Sequence, residues 1–298
     1  LKNLKFELGE NMQNIDAASL ITITQEEFQL NSSSFQEKIL QATKEGVCYI
    51  EYPAGWDPLV AKTAEFANKF YSDETYTSIK GGSLGPFGGY HDRESNGLQI
   101  ESFYADKPYW DVYPKEVALL AENMTQLSLK VLKASLKALN IPDSVWKQGT
   151  GKVLEGCGQY HFSLNHYRPE LDEKEGLPAH KDFGQISLLY INKLGLQVNL
   201  NGIWQDVIPK KDCFIVNFAK SFESFINNSD KANAVLHRVR KITEEGRISF
   251  GAFVDNAKDA PLVSLIKRNR LEVVYAKGAE AYAKEEFEKG YTPKKVDQ

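Results

Sequence analysis

His180, Asp182 and His237 are the residues whose types and spacing could hold a reactive metal ion. The first two stand as His-Lys-Asp, and the third follows 57 positions after His180 in Leu236-His237-Arg238-Val239. Two imidazoles and one carboxylate occupy one face of a six-coordinate ion and leave the opposite positions open, an arrangement suited to Fe(II) and O2. Ten positions beyond His237 come Arg247 and Ser249, as Arg-Ile-Ser. Residues two apart on a strand share a face, so this pair can grip one carboxylate. A metal site beside a carboxylate clamp implies oxygen activation driven by a bound oxo-acid.

Each element alone has a plainer reading. His180-Lys181-Asp182 could be a surface loop, His237 a core histidine satisfied by a backbone carbonyl, and Arg247 an edge residue reaching Glu244 or Glu245. The conjunction favours the metal site, because an inward arginine on a strand is costly unless an anion meets it. Gln159, His161, Ser163, Asn165 and Tyr167 alternate along one strand, with Tyr160, Phe162 and Leu164 on its other face. If the apolar face packs on helices, the polar face lines a lumen. Tyr167 and Asn165 would then bond the oxo-acid, and His161 or Ser163 the substrate. The expected substrate wall combines Phe87 and Tyr90 of a glycine-rich loop with His161, Ser163, Phe183 and Phe253. His91, in that loop, is expected at the surface, and His166 should face away from Tyr167.

The elements that position these groups follow from periodicity. Residues 20–24 alternate as a strand, 33–45 read as a helix stopped by Gly46, and 47–52 form a β-branched and aromatic strand. A second helix spans 59–71, residues 80–100 read as one glycine-rich loop, and 114–139 form a long amphipathic helix. That helix carries a heptad-like stripe, which a globular chain buries more often in its core than in a coiled coil. From about residue 153 short strands follow, at 158–167, 185–192, 196–200, 203–207, 213–218, 234–239 and 247–254, and a helix returns at 278–289. Many short, regularly spaced strands suggest a jelly roll. The expected fold is mainly β with flanking helices. A helix-rich N-terminal α/β region (1–150) and a C-terminal strand and helix cover (266–298) pack on a core at 151–265, as one unit.

The bulk numbers exclude several classes. Lys and Arg number 36 against 40 Asp and Glu, a net charge of −4, so no basic footprint for nucleic acid or an anionic membrane exists. Three cysteines without a CxxC pair indicate neither a disulfide framework nor a zinc site, and Cys48 and Cys213 read as core residues. No signal-peptide pattern and no apolar stretch of spanning length is read, so a reducing, cytoplasmic setting is expected. A monomer acting on a small molecule is the expectation for partners.

With these residues in hand, the chain resembles the isopenicillin N synthase-like branch of the Fe(II)/2-oxoglutarate-dependent dioxygenases. Glu45-Gly46-Val47-Cys48-Tyr49-Ile50, Gly89-Tyr90, Glu101-Ser102-Phe103 and Asn165-His166-Tyr167-Arg168-Pro169 are similar to its landmarks. Gly195-Leu196-Gln197-Val198, Val216-Asn217-Phe218, the His237 segment and Arg247-Ile248-Ser249 follow in the same order. The resemblance implies a double-stranded β-helix (jelly roll) core with flanking helices. It implies that His180, Asp182 and His237 bind Fe(II), and that Arg247 and Ser249, assisted by Tyr167 and Asn165, bind 2-oxoglutarate. With O2, such an enzyme releases succinate and CO2 while a small metabolite, amino-acid-derived or a natural-product intermediate, is hydroxylated, desaturated or cyclised. Two departures stand out: Ala219-Lys220 where the family often has Gly-Asp, and Arg168 where Pro is usual; neither is expected to touch a ligand. Two other readings stand beside this one: an iron oxidase of the same fold that takes no 2-oxoglutarate, and a non-catalytic jelly roll that binds a small molecule.

Overall fold

The structure is a computed structural model. It describes residues 17–291 apart from 82–83, 85–87, 172–173 and 244–245. The first half contains β1 (Thr22–Ile23), α1 (Gln25–Leu30), α2 (Ser33–Glu45), β2 (Val47–Glu51), α3 (Asp57–Phe70), α4 (Thr77–Lys80), β3 (Gly89–Asp92), β4 (Ile100–Asp106), α5 (Lys115–Ala138) and α6 (Asp143–Gly149). The second half contains β5 (Gln159–Tyr167), β6 (Leu177–His180), β7 (Ile186–Ile191), β8 (Leu196–Leu200), β9 (Ile203–Asp206), β10 (Cys213–Phe218), α7 (Lys220–Ile226), β11 (His237–Val239), β12 (Arg247–Asp255), β13 (Leu262–Ile266), β14 (Arg270–Tyr275) and α8 (Ala279–Tyr291).

Among the described residues the strands form a large sheet, ordered β1-β2-β10-β7-β12-β5-β4-β3, a four-stranded one, ordered β6-β11-β8-β9, and the separate hairpin β13-β14. The first two make the jelly roll. Period-two alternation divides the large sheet's side chains between two cores. Phe103, Phe162, Leu164, Leu188, Val216, Ile248 and Phe250 face the helices, where they meet Leu120, Met124, Leu127 and Val131 of α5. Burying each large side chain contributes roughly 1.5–3 kcal/mol, so α5 is held by its stripe as a core helix. Tyr49, Ile100, Tyr167, Ile191, Leu196, Val198, Ile215 and Val239 face inward between the sheets. Cys48 and Cys213 are buried. No described helix is long and apolar enough to cross a membrane.

Two features of the first half tie it to the core. Ser32 Oγ caps α2 by accepting from Phe35 N–H at 3.1 Å, and Gly46 ends that helix at φ 81°. Glycine is needed there twice over: the left-handed conformation favours it, and a Cβ would sit 2.7 Å from Asn233 O and 2.8 Å from Val235 N. The helix therefore turns tightly into β2, which pairs antiparallel with β10 and lies against the segment leading to His237.

The expectation of one loop over residues 80–100 is corrected. The hairpin of β3 and β4 occupies part of it and extends the large sheet beyond β5, with β4 paired to β5 from Ile100↔Tyr167 to Asp106↔His161. The first four residues of β4 are all buried, whichever face they point to, so the alternation that betrays a half-solvated strand is weak here. The strand β6, leading into His180, was likewise expected as loop.

Candidate active site

His180 is the last residue of β6 and His237 the first of β11, and they are direct register partners. Their rings lie 4.3 Å apart, centroid to centroid. Each ring's Nδ1 meets a backbone carbonyl, that of Pro178 at 2.8 Å for His180 and that of Val235 at 3.2 Å for His237. A carbonyl only accepts, so Nδ1 carries the proton in both rings and Nε2 presents its lone pair. Those two Nε2 atoms stand 3.8 and 3.7 Å from Asp182 Oδ1, too far for hydrogen bonds. One donor atom from each residue lies within 4.8 Å of the others, a span that one ion can bridge.

Asp182 is placed by the large sheet and by α7. Ser187, on β7, donates its hydroxyl to Asp182 Oδ2. The first N–H groups of α7, which have no intrahelical acceptor, donate instead to the loop: Lys220 N to Asp182 O at 2.9 Å, and Ser221 N to Phe183 O at 3.0 Å. The departure at Ala219-Lys220 was expected to leave the ligands untouched. The structure corrects that, since this turn grips the backbone of Asp182 itself. Arg168, the other departure, pairs with both oxygens of Asp92, at 2.6 and 3.2 Å, and braces the β3–β4 hairpin.

Burial pushes the His180 imidazole down to about 4, and the neighbouring His237 adds to this. Burial alone would raise the Asp182 carboxyl, but the two imidazoles and the Ser187 hydroxyl hold it below the usual carboxylate range. A neutral imidazole beside an ionised carboxylate is the protonation state that binds a divalent cation.

The inward residues of the large sheet form rows across β4, β5, β12 and β7. Ile100, Tyr167 and Arg247 make the first, and Ser102, Asn165, Ser249 and Ile191 the second. Tyr104, Ser163, Gly251 and Leu189 make the third, Asp106, His161, Phe253 and Ser187 the fourth, and Gln159 and Asp255 the fifth. The third row is narrow at Ser163 and Gly251, and a cavity of about 510 Å³ opens along the axis, lined by the histidines, Asp182 and parts of every row.

Arg247, in the first row, is only 1% exposed. Its guanidinium carbon lies 4.8 Å from the centre of the Tyr167 ring, yet none of its three side-chain nitrogens has a hydrogen-bond partner among the described residues. Burial lowers its basicity without discharging it. Burial also pushes the Tyr167 phenol up to about 12, against the opposing pull of Arg247, so that hydroxyl keeps its proton. Ser249 lines the same end, as does Asn165, whose amide donates to Ser163 Oγ at 3.3 Å while its Oδ1 has no partner among the described residues. A buried cation without a counterion, flanked by a hydroxyl, fits a carboxylate, and the His-Asp-His donors fit Fe(II).

Of the residues expected along the substrate wall, His161, Phe183 and Phe253 line the cavity. Ser163 is fully buried within the wall, where it accepts from Asn165, and is not among the residues lining the cavity. Tyr90 is corrected too. Its hydroxyl donates to Glu101 Oε2 at 2.6 Å and its ring packs on Tyr71, toward the helices. Alternation on β3 turns His91 inward instead, so the histidine expected at the surface lines the cavity with Arg93. Phe87 lies outside the described residues. His166 does face away, stacked on Tyr71 with Nδ1 2.8 Å from Glu101. Sequence reasoning missed Tyr104, Leu189, Lys284 of α8, and Asp255. Asp255 had a signal: it continues the parity of Arg247, Ser249 and Phe253.

Residues 158–256 match the sequence model of the 2OG-Fe(II) oxygenase superfamily. Among curated relatives, 1-aminocyclopropane-1-carboxylate oxidase 1 of Doritaenopsis sp. is 31% identical over 193 residues, 62% of this chain and 54% of that protein. Protein DMR6-LIKE OXYGENASE 1 of Arabidopsis thaliana is 32% identical over 165 residues, covering 54% of this chain and 45% of its own length. The chain thus spans about half the length of the curated relatives it matches. In three dimensions it resembles JOX2 in complex with 2OG, Fe, and JA, with a TM-score of 0.74, 17% identity and coverage of 94% and 91%. It also resembles the dioxygenase for auxin oxidation (DAO) in rice, with a TM-score of 0.70, 17% identity and coverage of 91% and 96%. These structures share the fold. The segment similar to the 2OG-Fe(II) oxygenase superfamily, residues 158–256, is the one that carries the three donors and the Arg247–Ser249 pair.

Proposed function

We propose that this chain is an Fe(II)/2-oxoglutarate-dependent dioxygenase that oxidises a small metabolite in a reducing, cytoplasmic compartment. The observation that carries the reading is the buried, unpaired Arg247 guanidinium in the same cavity as the His-Asp-His cluster. His180, Asp182 and His237 would hold Fe(II), and Arg247 with Ser249 would receive the distal carboxylate of 2-oxoglutarate, with Tyr167 and Asn165 beside it. Bound there, Fe(II) and 2-oxoglutarate supply the oxidising chemistry, consuming O2 and releasing succinate and CO2.

The protein's own part is geometry and dryness. Ser187 and the first turn of α7 fix Asp182, while Pro178 and Val235 fix the two imidazoles. Ile100, Ile191, Leu196 and Val239 line the cavity with apolar surface, which strengthens the hold of Arg247 on an anion by excluding water. The wall at His161, Phe183 and Phe253 mixes aromatic and polar surface, which suits an amino-acid-derived compound or a natural-product intermediate. Whether such a substrate is hydroxylated, desaturated or cyclised depends on how that wall places it.

The test is anaerobic titration of the Fe(II)-loaded protein with 2-oxoglutarate, following the metal-to-ligand charge-transfer band in the visible range. The band is expected in the wild type and weakened in Arg247→Ala. If Fe(II) binds and no band forms at any concentration, the reading falls, and an oxidase without 2-oxoglutarate replaces it. If Fe(II) itself does not bind, a non-catalytic binding protein does.

A further inference from the structure

The proposed function uses the half of the cavity between Arg247 and the metal donors. The other half holds a carboxyl group with no assigned role. Asp255 ends β12 in the fifth row and lines the same cavity as His180, Asp182 and His237. Its carboxylate accepts no hydrogen bond among the described residues. The side-chain nitrogen paired with it is His161 Nδ1, at 3.7 Å, beyond hydrogen-bonding range, and burial keeps that imidazole neutral.

The seat of this carboxylate is built. A Cβ at Gly184 would collide with Asp255 Oδ1. The carboxylate therefore rests on bare backbone, two residues beyond Asp182, in space that any other residue would fill. Beside it, the His161 ring lies flat on that of Phe253, with centroids 4.9 Å apart and planes 9° apart, giving a planar wall. Burial, with the charges of Asp182 and Asp106, pushes the Asp255 carboxyl up to about 7. Such a group gains most from a cationic partner, which restores the ionised form. Arg93, Lys181 and Lys284 also line the cavity, so a substrate of opposite charge has a distinct place to go, and the experiment below separates the two.

We propose that Asp255 anchors the substrate by receiving a protonated nitrogen, so that the substrate is a small amine whose carbon skeleton lies against His161 and Phe253. This rests on the oxygenase reading for the reaction, although the amine anchor itself does not require 2-oxoglutarate. A carboxylate bonded to an ammonium in a sheltered site discriminates strongly against a neutral isostere, which leaves the charge unpaired.

The probes are benzylamine, benzyl alcohol and benzoate, titrated calorimetrically at pH 8 into the Fe(II)-loaded protein with 2-oxoglutarate under nitrogen. Benzylamine is expected to bind about tenfold to a hundredfold more tightly than benzyl alcohol, with benzoate weakest. Asp255→Asn should bring the amine down to the level of the alcohol while the 2-oxoglutarate band persists, which shows that the variant is folded. Equal binding of amine and alcohol by the wild type, or tighter binding of benzoate, overturns the proposal. So does an amine preference that survives in Asp255→Asn, since the anchor would then lie elsewhere. An amine preference that depends on Asp255 in a protein giving no 2-oxoglutarate band would overturn the cosubstrate reading and leave the anchor standing.

Discussion

Replacing Arg247 by Met should make the ligand-free protein more stable and, at the same time, deaf to 2-oxoglutarate. The guanidinium is 1% exposed and its nitrogens have no partners among the described residues, so folding leaves an uncompensated charge inside. The effective cost of burying such an ion is several kcal/mol. The Tyr167 ring, 4.8 Å from the guanidinium carbon, returns about 1–2 kcal/mol of it. Methionine is apolar, flexible and of similar length, so the exchange should stabilise the empty protein by about 1–3 kcal/mol. For a chain of this size that is a rise in melting temperature of about 2–6 °C. Addition of 2-oxoglutarate at a thousand times its dissociation constant should stabilise the wild type by about 4.1 kcal/mol and leave the variant unmoved. Differential scanning fluorimetry with and without the oxo-acid, on protein held with Mn(II) under nitrogen, reads both effects. The order of the two melting temperatures should reverse on addition of ligand. If Arg247→Met melts below the wild type without ligand, as a truncated structural arginine would, the unpaired-charge argument is wrong. A ligand-induced shift retained in the variant would refute the clamp.

Ser187→Ala removes the hydroxyl that orients Asp182 without touching a donor atom, and should weaken Fe(II) binding by about 10- to 100-fold; unchanged affinity in an anaerobic titration would show that the turn of α7 suffices. Gly46→Ala places a Cβ against Asn233 O and Val235 N at φ 81°, and should cost more than about 2 kcal/mol in urea unfolding; a midpoint within error of the wild type would contradict the close approach. His161 and Asp255 give a paired pH test. Burial depresses His161 from its ordinary 6.5 to about 4, so between those values the unfolded chain binds more protons and stability should rise with pH. Asp255, raised from its ordinary 3.8 to about 7, works the other way: the folded chain holds the extra proton, and stability should fall as pH rises through that window. In the wild type the two slopes oppose each other. His180, lowered to about 4, and Asp106, raised to about 6, contribute alike in all three proteins, so the test is the change from the wild type. Asp255→Asn should make the slope of stability with pH more positive and His161→Phe more negative, each by up to about 1.4 kcal/mol per pH unit between about pH 4.5 and 6.5. Changes of the same sign in the two variants would refute the assignment.

How much of this was legible in the sequence depended on whether a signal was local. The alternation of β5 and β12 was, because one face meets helices and the other a polar lumen. That alternation carried Tyr167, Asn165, Arg247 and Ser249 to one end of the cavity. The strand β4 was not, because buried residues succeed one another along it and its partner β5 begins 53 residues after β4 ends. Missing β4 hid the parity of β3, so Tyr90 was expected inward and His91 outward, the reverse of what the hairpin imposes. Ser163 shares the inward parity of His161 but lacks the length to reach past the row it sits in. The grip of α7 on the Asp182 loop was invisible because it runs through backbone N–H groups, which every residue but proline offers alike. Asp255 was legible in principle, one step further along a parity already in use.

The pairing of β2 with β10 sets a timetable for the growing chain. Residues 47–51 leave the ribosome long before residues 213–218, the strand they must hydrogen-bond, have been made. Until then Val47, Tyr49 and Ile50 have no sheet to complete, and the helices that cover β7 and β12 have nothing to cover. The segment that matches the superfamily, residues 158–256, has the converse difficulty, since without β2 and β4 both flanks of its large sheet are open edges. Neither half can protect its own hydrogen bonds, so the metal donors come together only once nearly the whole chain is available. Assembly of the three donors is thereby a late event in folding, and a nascent or truncated chain is an aggregation hazard before its site exists.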